Sequence, residues 1–346
     1  MMDVSGFRRI LITRTDRIGD VVLSMPAIAA LRKAFPKAYI AMAVQPRIPD
    51  ILWGNNCLDE IMVYDKIVRH KGFFGTLSFI RQLRARKFDA AFILHSTSRI
   101  NAACFLAGIP RRIGYARGKM DFLLTDRLED KKRSGERHES EYTLDILRRA
   151  GVDAEFSMPR INIREEDEKR MAGVIAGLGL KEKERFVIFH PGASCISKMW
   201  PLENFAGLGD VLIKDTGMKV IINLAPAQAH LGEKVRGMMR EKPVLFCEPT
   251  TLGELAALFK KAALVISNDS GPAHMAAGVG TPVISIFGRN QKGLSPARWR
   301  PLGDKSVALH KDIGCVECLA HDCKKGFLCL KAITVEEVAA NAKKLL

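Results

Sequence analysis

The chain has 346 residues, enough for two domains that each bury a core of their own. Hydrophobic residues make up 47% and charged residues 27%, which is typical of a globular protein and excludes a disordered or fibrous one. No apolar run approaches the roughly 18 residues of a membrane span. The start lacks the basic, apolar and small-residue order of a secretory signal. These features predict a cytoplasmic protein without a membrane-spanning helix.

Positive charge is concentrated in one part of the sequence. The formal net charge is +16, and between Lys66 and Arg137 there are 17 basic residues against 6 acidic ones. Such a surplus favours a phosphate-rich partner, namely nucleic acid, an anionic membrane leaflet or a phosphorylated substrate. The alternative is a solvated helix face, such as that of LSFIRQLRARKF. Nucleic acid is disfavoured, because only 7% of residues are aromatic and no recognition-helix or RNA-binding motif is present.

Strand-like apolar runs alternate with segments of helical periodicity in two series. In the first series the strands are RRILITR, AYIAMAV, DEIMVY, FDAAFIL and RRIGYA, and the helices are DVVLSMPAIAALRKAF, residues 77–86 and NAACFLAG. In the second the strands are RFVIFH, KVIINLA, PVLFC, ALVISN and PVISIFG, and the helices include ENFAGLGDVLIKDTG and TLGELAALFKKA. This alternation predicts parallel sheets that are covered on both faces.

The two series predict an α/β fold with two Rossmann-like domains, residues 1–165 and 166–332. The last segment, TVEEVAANAKKLL, begins with a Thr334–Glu337 capping box and predicts a helix within residues 333–346. We expect this helix to pack back on the N-terminal domain. In open parallel sheets ligands bind beyond the carboxyl ends of the strands, so the loops that follow strands are the candidate sites.

The loop after the first strand, TDRIGD, places a carboxylate at a helix start. Gly19 allows a tight turn, and Asp20 lies where acidic residues are favoured. Asp20 is therefore either a helix cap or a base that removes a proton from an acceptor hydroxyl. The glycines here do not form GxGxxG, so a dinucleotide-binding fingerprint is not supported.

A second loop, after FVIFH, carries a lysine and two serines. Lys198 is placed to meet a diphosphate as a point charge, or it is a solvated surface lysine. Ser194 and Ser197, with the backbone amides around them, could add hydrogen bonds to the same ligand. Trp200 and Pro201 then begin the next helix.

The third loop follows ALVISN and reads DSGPAHMAAGVGTP. Asp269 and Ser270 end the strand, Gly271 permits the turn, and Pro272 suits the first helical position. A helix that begins there offers free amides and the positive end of its dipole, which suits a pyrophosphate. His274 lies on the first turn, either as a ligand of the same anion or as a structural histidine.

Together these loops resemble glycosyltransferase family 9, the ADP-heptose:lipopolysaccharide heptosyltransferases. The resemblance is carried by LITRTDRIGDVVLSMPAIAALRKAFP, FHPGASCISKMWP, ISNDSGPAHMAAGVGTPVISIFG and the cysteine-bearing C-terminal stretch. It implies a GT-B fold, in which two Rossmann-like domains face a central cleft, the first for the acceptor and the second for ADP-heptose. It also implies an inverting transfer that requires no metal or other cofactor.

The resemblance implies a role for each matching residue. Asp20 would deprotonate the acceptor hydroxyl, and Lys198 would offset the charge that grows on the leaving diphosphate. The implied donor-binding residues are Ser194, Lys198, Asp269, Ser270, Gly271 and His274. The predicted acceptor-binding residues are Arg17, Arg117 and Lys119.

The implied acceptor is a phosphorylated or Kdo-bearing lipopolysaccharide precursor, either Kdo-lipid A or heptosyl-Kdo-lipid A. We therefore expect peripheral contact with the cytoplasmic face of the inner membrane. The sequence departs from the family after KVIINLA, where Gln228 and His230 stand in place of an acidic residue that would contact the ribose, and Glu233 comes later in the helix. The alternative function is therefore another GT-B sugar transferase or a nucleotide-sugar epimerase with a different donor.

Four of the eight cysteines lie within fifteen residues near the end of the sequence, in the pattern C-x2-C-x4-C-x5-C with His321 inside it. They are Cys315, Cys318, Cys323 and Cys329. This spacing is compatible with a structural zinc ion, with disulfides or with free thiols. No catalytic role is expected for them.

Overall fold

A computed structural model describes residues 6–181, 183–315, 318 and 320–346. The chain divides into two compact units. The first unit runs to Arg133 and includes Arg137–Pro159, and the second holds Ser134–Glu136 and Arg160–Leu346.

The first unit is a parallel sheet with helices between its strands. Its strands are β1 (Arg9–Thr13), β2 (Tyr39–Val44), β3 (Glu60–Val63), β4 (Ala90–Ile93), β5 (Arg111–Ala116) and β6 (Asp126–Glu129). Its helices are α1 (Ile18–Val22), α2 (Met25–Ala34), α3 (Pro49–Leu52), α4 (Gly72–Ala85), α5 (Ser98–Leu106) and α6 (Glu139–Arg149). The strand order is β3-β2-β1-β4-β5-β6. The central strands β1, β2 and β4 are almost entirely buried, as expected when helices cover both faces of a parallel sheet.

The second unit repeats this architecture. Its strands are β7 (Phe186–His190), β8 (Lys219–Asn223), β9 (Val244–Phe246), β10 (Leu264–Asn268), β11 (Val283–Phe287) and β12 (Ser306–His310). Its helices are α7 (Glu165–Gly177), α8 (Leu202–Thr216), α9 (Ala229–Met238), α10 (Leu252–Lys261), α11 (Gly271–Gly278), α12 (Pro296–Trp299), α13 (Leu328–Lys331) and α14 (Val335–Leu345). The strand order, β12-β11-β10-β7-β8-β9, is the one found in the first unit when strands are counted from β7. The predicted α/β class with two Rossmann-like domains is therefore confirmed.

The second unit begins slightly earlier than the predicted boundary at residue 166. The charged segment INIREEDEKR spans that boundary and leads into α7, which packs on α10 of the second unit and joins it by the ion pair of Arg170 with Glu254 at 2.8 Å. These charged residues begin the amphipathic helix α7, so they belong to the second unit and do not form a linker between the units.

The terminal helix α14 lies in the second unit, not on the N-terminal domain as expected. Its buried Val338, Ala339 and Ala342 join the core that includes α8 and the strands of this unit. An ion pair from Lys343 to Asp215, 2.6 Å long, fastens its last turn to the end of α8. The capping residue Thr334 accepts from the backbone of Glu337, as the sequence predicts.

Candidate functional site

In each sheet, the first three strands are added in one direction and the next three in the other. The order reverses between two neighbouring strands, the first and the fourth in chain order. In the first unit these neighbours are β1 and β4, and in the second they are β7 and β10. The loops that leave the two strands diverge there, and the crevice at their carboxyl ends is the usual ligand site of an open α/β sheet. The three loops predicted from the sequence follow β1, β7 and β10, so each lies at one of these two points.

At the first point a buried arginine binds three carboxylates. Arg14 directly follows β1 and its side chain is only 2% exposed. Its Nη2 donates to Asp20 Oδ1 at 2.7 Å and to Glu139 Oε1 at 3.0 Å, and its Nε donates to Asp16 Oδ1 at 2.9 Å. Burial alone lowers the pKa of Arg14, but the three carboxylates outweigh it and raise the pKa, so Arg14 is a permanent cation.

Asp20 is not a helix cap. The N-cap residue of α1 is Arg17, and Asp20 lies within the first turn. Its backbone carbonyl accepts from Ser24 Oγ at 2.7 Å, while its carboxylate binds Arg14. The side chain of Asp20 is 13% exposed, so its carboxylate is fixed by a cation and is still accessible to solvent. This is the geometry that a positioned general base needs.

Two titratable groups beside Asp20 were not identified from the sequence. His95, just beyond β4, has its Nδ1 4.0 Å from Asp16 Oδ2. Burial, followed by the charge of Arg14, lowers the pKa of His95 to about 4. Burial raises the pKa of Asp16 to about 7, against the opposing effect of Arg14. Their positions after two adjacent buried strands are the signal that could have identified them.

The predicted acceptor-binding residues lie in loops at the same carboxyl edge of the sheet. Arg17 is exposed in the loop after β1. Arg117 and Lys119 are exposed just after β5, and Arg117 Nε binds Asp130 Oδ2 at 2.8 Å. The charge of Arg117 also contributes to the low pKa of His95. This edge therefore carries accessible positive charge next to Asp20.

At the second point the structure brings together the loops after β7 and β10. Lys198 Nζ lies 2.5 Å from Asp269 Oδ2 and 3.3 Å from the Asp269 carbonyl oxygen. Both side chains are largely buried, so the interpretation of Lys198 as a solvated surface lysine is wrong. An anion that binds here would compete with Asp269 for the ammonium group.

Asn268 fixes the distance between these two loops. Its fully buried side chain accepts from the backbone N–H of Trp200 at 2.9 Å and donates to the carbonyl of Pro191 at 2.7 Å. Trp200 is itself fully buried and donates from Nε1 to the carbonyl of Ile333 at 2.9 Å. The loop that carries Lys198 is therefore held at both ends. An asparagine that ends a buried strand was the available signal for this role.

The helix α11 begins beside the Lys198–Asp269 pair. Ser270 is its N-cap residue, and its hydroxyl lies 3.0 Å from Ser267 Oγ and does not cap the helix. His274 is buried in the first turn of α11, and Ser194 is exposed on the loop after β7. The first N–H groups of α11 thus lie next to an ammonium group whose charge Asp269 balances, and an anion that displaces the carboxylate can bind both.

The departure after β8 also reaches this loop. Gln228 Nε2 donates to the carbonyl of Ala193 at 3.2 Å, and a Cβ on Gly192 would lie 2.5 Å from Gln228 Oε1. Glu233 is exposed on α9 and pairs with Arg236 at 2.6 Å. Gln228, rather than Glu233, is therefore the polar side chain that this segment presents beside the Lys198 loop.

The comparison with protein families matches residues 76–328 to "Glycosyltransferase family 9 (heptosyltransferase)". Lipopolysaccharide heptosyltransferase 3 of Escherichia coli K12 is 27% identical over 347 residues, covering 95% of each chain. The crystal structure of the glycosyl transferase family 9 protein from Veillonella parvula DSM 2008 superposes with a TM-score of 0.88 at 26% identity, covering 99% of this chain and 98% of that one.

The E. coli ADP-heptose lps heptosyltransferase II has the same fold, with a TM-score of 0.78 at 21% identity and 98% of each chain covered. The expected GT-B fold is thus confirmed. The family match spans well over half of the sequence. The chain belongs to glycosyltransferase family 9 and is a glycosyltransferase.

Proposed function

We propose that this glycosyltransferase moves a heptose from ADP-heptose to the inner core of lipopolysaccharide, with Kdo-lipid A or heptosyl-Kdo-lipid A as acceptor. The observation that carries the proposal is the pairing of two sites in one chain. A carboxylate fixed by Arg14 lies at the reversal point of the first sheet, and the Lys198–Asp269 ion pair lies at that of the second, beside the start of α11. The similarity to a lipopolysaccharide heptosyltransferase supports the substrate class.

On the acceptor side, Asp20 takes the proton of the attacking hydroxyl. The buried Arg14 holds one carboxylate oxygen of Asp20, which fixes its direction and leaves the other oxygen for the substrate. The acceptor oxygen then forms a bond to the anomeric carbon as the bond from that carbon to the diphosphate breaks, with inversion. Arg17, Arg117 and Lys119 attract the phosphate and carboxylate groups of the acceptor.

On the donor side, Lys198 and the start of α11 receive the diphosphate. Negative charge on this group grows as the bond to the sugar breaks, so a fixed ammonium and aligned N–H groups stabilise the transition state more than the ground state. Asp269 and Ser270 bind the sugar and phosphates from the same loop, and His274 lies in the first turn of α11. Asn268 maintains the spacing of the two loops. The proposed transfer needs no metal or other cofactor.

The direct test supplies purified protein with ADP-heptose and a Kdo-lipid A acceptor and measures the ADP released and the product formed. We expect ADP release to depend on acceptor. Turnover of nucleotide-sugar without acceptor would instead identify an epimerase. A thermal-shift comparison of ADP-, UDP- and GDP-sugars tests the donor, because a ligand stabilises the unit that binds it. Preference for UDP- or GDP-sugars would overturn the ADP-heptose assignment while leaving sugar transfer in place.

Replacing Lys198 by alanine is expected to lower kcat by about 10²-fold. This is the low end of the effect of losing one group that stabilises transition-state charge, because the N–H groups of α11 remain in place. Steady-state kinetics with varied donor measure this effect. The matched control is Lys214→Ala, which removes an exposed lysine from α8. Equal kcat values for the two variants would contradict a role for Lys198 in offsetting diphosphate charge.

The zinc prediction for Cys315, Cys318, Cys323 and Cys329 stays a prediction. No disulfide joins any two of the eight cysteines, all of which the structure describes, and burial, together with the charges of Cys318 and Cys323, raises the pKa of Cys329. In residues 6–181, 183–315, 318 and 320–346, no three His, Cys, Asp or Glu side chains are grouped to hold a metal ion. Metal analysis of protein purified without chelators should give about one zinc per chain if the prediction holds, and less than about 0.1 excludes it.

We also propose peripheral contact with the cytoplasmic face of the inner membrane, where the lipid-linked acceptor resides. Among the described residues no helix is long and apolar enough to span a bilayer. Contact of this kind would depend on an exposed surface that carries both positive charge and apolar side chains.

A further inference from the structure

Four large apolar side chains are exposed close together between β3 and the first turn of α4. We call residues 66–74 the 66–74 patch. Ile67 is 70% exposed, Val68 77%, Phe73 77% and Phe74 82%. Exposed apolar residues on a globular surface are normally scattered, so four within eight residues indicate an interaction surface.

Hydrogen bonds fix the backbone of the patch, so that its apolar side chains point outward from a formed loop. Asp65 Oδ1 accepts from the N–H groups of Ile67 at 3.0 Å and Val68 at 2.9 Å. His70 is fully buried beneath the loop, stacks on Tyr64, and accepts from the N–H of Asp65 at 3.0 Å. The backbone of the loop thus needs little ordering on binding, which lowers the entropic cost of association.

Exposed basic residues alternate with these apolar side chains. They are Lys66, Arg69 and Lys71, and no acidic residue occurs from Lys66 to Phe88. The nearest acidic residue in the sequence is Asp65, whose carboxylate accepts hydrogen bonds from two backbone N–H groups of the loop. The patch therefore combines positive charge with apolar side chains of the size that enters the boundary of a bilayer.

The fold places the patch on the edge of the sheet that carries Asp20. All strands of the first sheet are parallel, so the loops after β3 and β1 leave from the same edge. In the strand order β3 is two positions from β1, a distance of about 10 Å across the sheet. A surface bound at the patch would thus lie on the side where an acceptor reaches Asp20.

We propose that the 66–74 patch docks this protein on an anionic lipid bilayer, with the two phenylalanines entering the acyl boundary and the three basic side chains on headgroup phosphates. A sugar phosphate alone would not account for four exposed apolar side chains. A second copy of the patch would bring like charges together. The inference rests on the proposed function only for the lipid-linked acceptor, since bilayer binding requires no particular donor.

The test measures co-sedimentation of the full chain with vesicles of phosphatidylcholine, alone or mixed with phosphatidylglycerol. The wild type is expected to bind the anionic vesicles and to bind them less at high salt. Phe73→Ser combined with Phe74→Ser should weaken binding about ten-fold or more. The matched control is Phe105→Ser, which removes a phenylalanine that is 48% exposed at the end of α5, just before the amino end of β5.

The charge contribution is tested separately. Each basic residue close to an anionic surface is worth about five-fold in binding, so changing Lys66, Arg69 and Lys71 together to glutamine should weaken it about 100-fold. The control is the triple change of Lys234, Arg240 and Lys242 to glutamine, which removes three exposed charges from the second unit. Light scattering in the absence of lipid measures whether either patch variant changes the oligomeric state.

Transfer to a water-soluble acceptor without acyl chains separates docking from catalysis. Patch variants that lose vesicle binding and keep this transfer, with unchanged KM, support the proposal. The proposal is overturned if the wild type fails to bind anionic vesicles, or if the patch variants bind them as well as the wild type does. It is also overturned if the patch variants lose self-association instead of vesicle binding, or if they raise the KM for the soluble acceptor. Vesicle binding without any transfer would reject the proposed function and leave docking in place.

Discussion

Replacing Asp20 by asparagine is expected to lower kcat by about 10²–10⁴-fold, the contribution that a positioned general base usually makes. Asparagine has the size of aspartate, but its amide cannot accept the proton of the attacking hydroxyl. Donor binding depends on the second unit in the proposed mechanism, so the thermal shift with ADP-heptose should be unchanged. Single-turnover transfer to a soluble acceptor measures the chemical step directly.

Asp16→Asn is the matched variant, because Asp16 also binds Arg14 and lies in the same loop. It removes one carboxylate from the cluster and leaves the contact between Asp20 and Arg14 in place. We expect a much smaller loss of rate than in Asp20→Asn. A large loss in Asp16→Asn with a mild effect in Asp20→Asn would assign the base to Asp16, whose pKa burial raises to about 7.

The fold could be predicted where burial imposes a pattern. The runs that became β1, β7 and β10 are apolar along their length because helices cover both faces of each central strand. The strands β6 (DRLE) and β12 (SVALH) were missed, since they lie at sheet edges, are partly exposed and have at most three apolar residues in a row. The predicted first helix is two, α1 and α2, which meet next to Pro26.

The candidate site could be predicted only where its residues follow strands in a recognisable order. Asp20, Lys198 and Asp269 met that condition. Arg14 resembled the polar end of a strand, and its partner Glu139 is 125 positions away in the sequence. Pairing at such a distance depends on the position of α6 over the sheet, which no local pattern specifies. The burial of Arg14 among three carboxylates therefore could not be predicted from the sequence.

Replacing Arg14 by methionine is expected to lower the free energy of unfolding of the first unit by about 3–5 kcal/mol. Loss of one partner from a buried ionic cluster leaves other charges poorly compensated. Here Asp16 and Asp20 would lose the cation that binds them, and Glu139 would keep its ion pair with Lys132 at 3.3 Å. Urea denaturation at neutral pH measures the effect. Arg14→Lys is the control, because it keeps the charge and should lose less. Equal losses would show that packing of the side chain, rather than its charge, is what matters.

The same cluster predicts how stability depends on pH. Burial raises the pKa of Asp16 from 3.8 to about 7, with Arg14 opposing. Between these pH values the folded state holds a proton that the unfolded state has lost, so the contribution of Asp16 to stability falls as the pH rises. His95 acts in the opposite direction, because burial lowers its pKa from 6.5 to about 4 and the unfolded state binds the proton more readily in that range.

The two slopes oppose each other in the wild type, and a difference measurement separates them. Asp16→Asn removes only the carboxylate, so we expect the free energy of unfolding of the variant to rise relative to wild type as the pH increases from about 4 to about 7. Urea denaturation of both proteins at several pH values across this range gives the difference. If it were constant, or fell with rising pH, the pKa of Asp16 would not be raised in the folded state. Asp16 would then be ionised at neutral pH, and the rate comparison with Asp20→Asn alone would decide which of the two carboxylates is the base.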